Sequence, residues 1–379
     1  MSHRERVRAA LSHQEPDRVP MDLGSTQVTT LTLRAYRALR AACGLSPRRP
    51  LMLSTVFQVV RLDEELLQYL DIDFRPLFYR PMRRRPSAGN ADTFIDGWGI
   101  TWRRPRGGLY FELAESPLAE AGVDDLESYA WPDPLNPDRL AGLREVARRL
   151  HKGTDYALVG PGMEGGFFED AWMLRGLERF LTDLLLDPPF VHALLRRIVD
   201  IRKQMFGCYL DLVGEYLDVV YVADDLAIQN GPLLSHALYR AIVKPYQQEL
   251  YAFIKERCDA KLLYHCCGSV GSLIDDFIEI GVDIINPVQV SAEGMRADWL
   301  KQRYGDRICF WGGIDTQRVL PYGTAREVRR EVDRLVRELA PGGGFVLGPV
   351  HNVQPDVPPE NLLAAYDEAR IVGRYPLTS

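Results

Sequence analysis

The chain has 379 residues, 46% of them hydrophobic, with a formal net charge of −6 and six cysteines. That length supports one large core or two ordinary ones. No apolar run reaches the ~18–20 residues of a membrane helix, no long basic block offers a nucleic-acid surface, and so few cysteines in so long a chain are not a disulfide framework.

Residues 1–6 lead into an amphipathic segment without the apolar stretch of a signal peptide. With thiols that read as small core residues at Cys43, Cys208, Cys258 and Cys309, this predicts a cytoplasmic location. The first strand candidates are Val19–Leu23 and Ile72–Pro76. Residues 80–115 then break the rhythm, and the arms DGWGITWRR and LYFELAESPLAE predict a β-hairpin insertion. Its basic residues, Arg83 to Arg85, Arg103, Arg104 and Arg106, read as a solvated face.

Tyr156–Gly160 is the third strand, followed by the glycine-rich loop GPGMEGGFF, which carries Glu164. From there strands and helices alternate. Asp218–Ala223, Lys261–His265, Asp283–Asn286, Ile308–Trp311 and Phe345–Leu347 are short apolar runs. Helical patterns separate them at Ser235–Cys258 (interrupted by Pro245), Ser272–Ile280, Ala297–Tyr304 and Ala325–Leu339, and Pro359–Ala369 closes the chain. Eight strands joined by crossover helices predict a single α/β domain over residues 1–379. It is a (β/α)8 TIM barrel with an N-terminal extension and the 80–115 insertion. An open doubly wound sheet should carry a glycine-rich phosphate turn after an early strand. Gly160-Pro161-Gly162 does not supply one.

Active sites of such barrels lie where strands end, and the polar residues at those points are specific. Side chains alternate along a strand, so His265 and Cys267 share one face while Cys266 faces away. An imidazole and a thiolate so placed supply two ligands to one zinc ion, and His351, after the last strand, is across the mouth to supply a third. Three protein ligands with a fourth position open is the layout of catalytic zinc. The alternative is a hydrogen-bonded strand-end histidine with two packing cysteines. Asp224 and Asp225, after the fourth strand, are candidate bases, orienters or loop anchors, with Asp224 the one placed in the site, and Glu164 is a further acid. Asn286, Gln289, Asn352 and Gln354 are neutral amides suited to holding a polar small-molecule substrate.

These stretches resemble the uroporphyrinogen decarboxylase superfamily along nearly the whole chain: RERVRAALSHQEPDRVP at 4–20, LYHCCGSV at 263–270, GVDIINPVQ at 281–289, FWGGIDT at 310–316 and GGGFVLGPVHNVQPDVPPENL at 342–362. The resemblance implies a (β/α)8 barrel and two chemistries. Decarboxylases of the superfamily act on a tetrapyrrole bearing eight acids and carry an arginine-rich Met-Arg-Gln-Ala-Gly-Arg stretch after the N-terminal proline. This chain has PMDLGSTQ at 20–27 instead, with the next basic residue at Arg34. The other branch, similar to corrinoid- and thiol-dependent methyltransferases, binds zinc through an H-x-C pair and a cysteine after the last strand. His265 and Cys267 match the pair, while His351 stands where the cysteine would be.

The resemblance therefore implies a zinc-dependent methyltransferase moving a methyl group between a small methylated compound and a corrinoid or thiol carrier. No corrinoid-binding segment is visible, so any corrinoid would arrive on a separate protein. A metal-free uroporphyrinogen decarboxylase and a non-catalytic partner subunit of a corrinoid protein are the alternatives. A homodimer is implied by the resemblance alone.

Overall fold

The apolar runs become the staves of a barrel. A computed structural model describes residues 1–377 except 83, 88–89 and 162–164. Seven parallel strands lie side by side in chain order: Phe74–Pro76, Ala157–Gly160, Val219–Ala223, Lys261–His265, Ile284–Asn286, Cys309–Ile314 and Phe345–Pro349. Residues 20–22 close the ring. Leu347 donates to the Pro20 carbonyl at 2.9 Å, Asp22 donates to Leu347 at 2.8 Å, and Asp73 donates to Met21 at 3.1 Å. The Val19–Leu23 strand is thus reduced to a single parallel bridge at Met21, because Pro20 has no N–H to extend the ladder. The architecture is the expected (β/α)8 barrel.

Inward-facing residues fill the barrel as a packed core. Phe74, Val159, Tyr221, Leu263, Trp311 and Val346 meet there, with the Phe74 and Trp311 rings 4.5 Å apart. The N-terminal extension plugs one end. Its helix, His3–Ala10, starts at a Ser2–Glu5 capping box and contributes Val7, joined by Leu11 just beyond it, to this core.

Charges fasten the plug. Asp73 is fully buried. It accepts from Arg6 Nη1 at 2.7 Å, Arg18 Nη1 at 2.8 Å and His3 Nδ1 at 2.7 Å. Asp218, just before the Val219–Ala223 strand, takes Arg8 at 2.7 Å. The following loop crosses the Gly342–Gly344 turn so closely that a Cβ on Gly343 (φ +76°) would strike the Gln14 backbone, which restricts that position to glycine.

Three elements differ from the sequence expectation. The 80–115 insertion is a four-stranded antiparallel meander, Arg85–Ser87, Asn90–Ile95, Thr101–Arg103 and Glu112–Glu115, rather than one hairpin. A three-stranded sheet from Leu31–Thr32, Met52–Ser54 and Val59–Val60 was not anticipated. The Ser235–Cys258 helix is relieved by a π turn at Tyr239–Val243, after which Pro245 sits in the first turn of Lys244–Lys255. There its missing N–H and its ring cost little. Among the described residues no helix is long and apolar enough to cross a membrane.

Candidate functional site

Parallel register brings the polar strand ends to one level. His265 pairs with Ala223 on one side and Asn286 on the other. The Asn286 amide donates to the Trp311 carbonyl at 3.2 Å, which turns its oxygen toward His265 Nδ1 at 2.6 Å. That oxygen accepts the Nδ1 proton and leaves the Nε2 lone pair free. Nε2 lies 3.3 Å from Cys267 Sγ. The His351 ring, from beyond the last strand, lies 5.6 Å from the His265 ring. One donor atom from each of the three residues falls within 4.8 Å of the others.

The donor set fits zinc. Bonds of roughly 2.0–2.3 Å in a tetrahedron put ligand atoms about 3.5 Å apart. The Cys267–His265 pair already has that spacing, and the His351 donor atom, within 4.8 Å of both, needs only a small approach. Burial lowers the His265 pKa to about 4, against the Asn286 hydrogen bond. Burial and the neighbouring His265 lower that of His351. Both rings are therefore neutral ligands at pH 7. Burial, with the charges of Asp225, Cys266 and Glu169, raises the Cys267 thiol, so without a cation this sulfur keeps its proton.

His265 and His351 line a cavity of about 110 Å³ at the barrel mouth. This is below the roughly 300–1,000 Å³ of drug-sized sites. Its walls come from several places, among them the Phe167–Arg175 helix with Glu169, Asp170 and Met173. The meander gives Phe94, Trp98, Ile100 and Trp102, the small sheet and its loop give Ser54, Val56 and Phe57, and the barrel gives Tyr221, Ala223 and Asp225. Among the described lining residues Arg84 is the one cation, against the carboxyls of Asp96, Glu169, Asp170 and Asp225. Asp170 is matched by Arg202 behind it at 2.8 Å. From the segment that follows Pro20, the uncharged Gln27 and Val28 reach the lining.

The candidate residues do not all reach this cavity. Asp224 faces away. Its carboxylate accepts the backbone N–H of Phe168 at 3.1 Å and Glu169 at 3.0 Å, anchoring the start of the Phe167–Arg175 helix. Burial pushes its pKa up to about 8 against those two donors. Asp225, one residue on, points in and accepts the Cys267 N–H at 2.7 Å. Gln289 is tied to the Gly268 N–H at 2.7 Å and to Gln229 at 3.0 Å. Asn352 accepts from the Thr30 N–H at 3.1 Å, and Gln354 accepts from the Tyr110 hydroxyl of the insertion. These three amides brace loops. Glu164 lies outside the described residues.

Two residues missed by sequence reasoning face the cavity. Glu169 accepts the Gly166 N–H at 3.1 Å. Burial, then the charges of Asp225 and Asp224, raise its pKa well above the usual carboxyl range. Tyr221 is 1% exposed, and its hydroxyl has no hydrogen-bond partner among the described residues. The only sequence signals were an acid in the first turn after the glycine loop, and a tyrosine at the inward phase of its strand.

The comparisons agree with this architecture. The chain is 24% identical over 382 residues to the uroporphyrinogen decarboxylase of Alkalilimnicola ehrlichii, covering 96% of this chain and 92% of that one. It is 24% identical over 271 residues to the Shewanella pealeana enzyme of the same name, covering 67% and 70%. The structure of a methyltransferase from Methanosarcina mazei superposes over 98% of this chain and 99% of its own, with a TM-score of 0.67 at 17% identity, which is a likeness of fold. The family model described as uroporphyrinogen decarboxylase (URO-D) matches residues 108–371. With a match over so much of the barrel, the chain belongs to the URO-D family.

Proposed function

We propose that the protein is a zinc-dependent methyltransferase, moving a methyl group from a small methylated compound to a thiol or to a corrinoid carried by a separate protein. The observation that supports this most is the triad of His265, Cys267 and His351, with donor atoms within 4.8 Å of one another. His265 and His351 line a small cavity whose described charged side chains are chiefly carboxyls. A substrate bearing eight carboxylates needs cations to hold it, and this lining offers one.

Zinc bound there would draw electron density from the donor heteroatom and loosen its bond to the methyl carbon. The protein's own groups supply the rest. Asn286 fixes the His265 tautomer and ring plane. The unpartnered Tyr221 hydroxyl gains its hydrogen bond from the substrate, which orients it. Trp98 and Trp102 cover the reacting atoms and exclude water. The heteroatom–methyl bond breaks as the carrier's nucleophile bonds to the same carbon, and Glu169, kept protonated by burial and neighbouring acids, hands its proton to the departing heteroatom.

Elemental analysis should find about one zinc per chain, the content of a single three-ligand site. A panel of methyl ethers, thioethers and methylamines, assayed against free cobalamin pre-reduced to its Co(I) state and against a free thiol, should yield methylated carrier. Carbon dioxide released from uroporphyrinogen by zinc-free protein would overturn the reading in favour of the decarboxylase. Glu169→Gln should lower kcat roughly a hundredfold or more. The sign with pH follows from the role. A proton donor with a raised pKa is active below that pKa and is lost above it, so the parent should decline as pH rises and the Gln variant should lack that decline.

A further inference from the structure

Outside the barrel, away from the zinc ligands, a second cavity of about 310 Å³ opens between the Arg48–Leu51 loop, the Glu64–Tyr69 helix and Leu150. Four arginines line it: Arg48, Arg49, Arg61 and Arg75. The acids that should balance them are already committed. Asp63 accepts from Arg40 at 2.6 Å, the Tyr36 hydroxyl at 2.6 Å and the Leu66 N–H at 3.2 Å. Glu64 takes both ends of the Arg75 fork, at 2.8 and 2.7 Å. Glu65 takes Arg40 at 2.8 Å and reaches Arg48 only at 3.7 Å.

That leaves Arg49 and Arg61. Among the described residues neither side chain has a hydrogen bond or an ion pair. Arg61 is half-buried, and burial depresses its guanidinium with only the Glu64 charge opposing. A guanidinium taken partly out of water without acceptors is costly, and a planar fork is shaped for an oxyanion. The remaining wall is apolar, with Pro50, Leu51, Leu67 and Leu150. A volume of this size holds more than an inorganic ion.

We propose that this cavity is a binding site for a small organic oxyanion, its doubly charged phosphate or dicarboxylate held by Arg49 and Arg61 and its carbon body on the leucine and proline wall. The site is independent of the chemistry at the barrel mouth.

The test is calorimetric titration of the full chain, at fixed ionic strength, with three probes: glycerol 3-phosphate, succinate and inorganic phosphate. The expected result is saturable binding of glycerol 3-phosphate or succinate, the stronger of the two identifying the headgroup, with inorganic phosphate weaker. Arg61→Gln and Arg49→Gln should each weaken it roughly tenfold or more, while Arg326→Gln, exposed on the Ala325–Leu339 helix and outside the cavity lining, should leave it unchanged. Arg49 is exposed on a loop, so its variant carries the test should Arg61→Gln fail to fold. No saturable binding by the two organic probes, or affinities unmoved by both Arg49→Gln and Arg61→Gln, would overturn the proposal.

Discussion

Cys267→Ala should emerge from purification folded, without zinc and without methyl transfer. The sulfur is one of three donors within 4.8 Å of one another, and its spacing to His265 already suits a tetrahedral ion; it alone brings negative charge to the ion. Two imidazoles remain, too few for a tight site. The loss should exceed the roughly 10–100-fold that removing the hydrogen bond behind a ligand costs, which is the smaller effect expected of Asn286→Ala. Folding should survive, because what Asp225 receives from residue 267 is its backbone N–H, which alanine keeps. Elemental analysis, turnover and thermal unfolding on the same preparation separate these effects. A Cys267→Ala protein that retains both metal and activity would remove Cys267 from the ligand set and with it the three-donor site.

Asp73→Asn should cost about 3–5 kcal/mol of stability. The carboxylate is fully buried, holds two guanidiniums and an imidazole, and accepts the Met21 N–H at 2.7 Å. The amide matches the carboxylate in shape but not in charge, so two arginines would be left underpaired. Burial works against ionisation of Asp73, yet the His3 hydrogen bond and the Arg18 and Arg6 charges hold its pKa below the usual value. A depressed folded-state pKa contributes stability that is present above the unfolded value, near pH 4, and is lost as pH falls through the folded one. Denaturant midpoints of the parent should therefore drop below about pH 4, and the Asn variant should show less of that drop. Equal midpoints at pH 7 would refute the role of the network.

The barrel was legible because its strands are buried on both sides. Such strands read as continuous apolar runs, and the runs from Tyr156 to Leu347 are of that kind. Where the chain pairs through polar or proline-broken stretches the signal fades. Arg85–Ser87 and Asn90–Ile95 carry little alternation, so the meander looked like a hairpin. The Cys309–Ile314 strand runs on through Gly312 and Gly313, which read as a stop although both are in the sheet with φ above +100°.

The site was legible in part, and the reason is the alternation rule itself. Counting by two from His265 separates Cys267 from Cys266, and the structure puts Cys266 behind the strand, where its sulfur accepts the Leu226 N–H at 3.3 Å. The same count along Tyr221, Ala223 and Asp225 turns Asp225 inward and Asp224 outward, and would have singled out Tyr221 and preferred Asp225 to Asp224. Glu169 was not within reach of that rule. An acid in the first turn of a helix is ordinary for helix-dipole reasons, and its burial beside two other carboxyls depends on the packing of that helix over the strand ends.

The roof over the mouth has a consequence for how such a protein changes over time. Phe94, Trp98, Ile100 and Trp102 all belong to the meander inserted after the Phe74–Pro76 strand, whereas the metal-ligand candidates hang from barrel staves. Reactivity and taste are written on separate stretches of polypeptide. Lengthening, trimming or exchanging the meander re-cuts the chamber for a different guest while leaving the imidazoles and the sulfur in place.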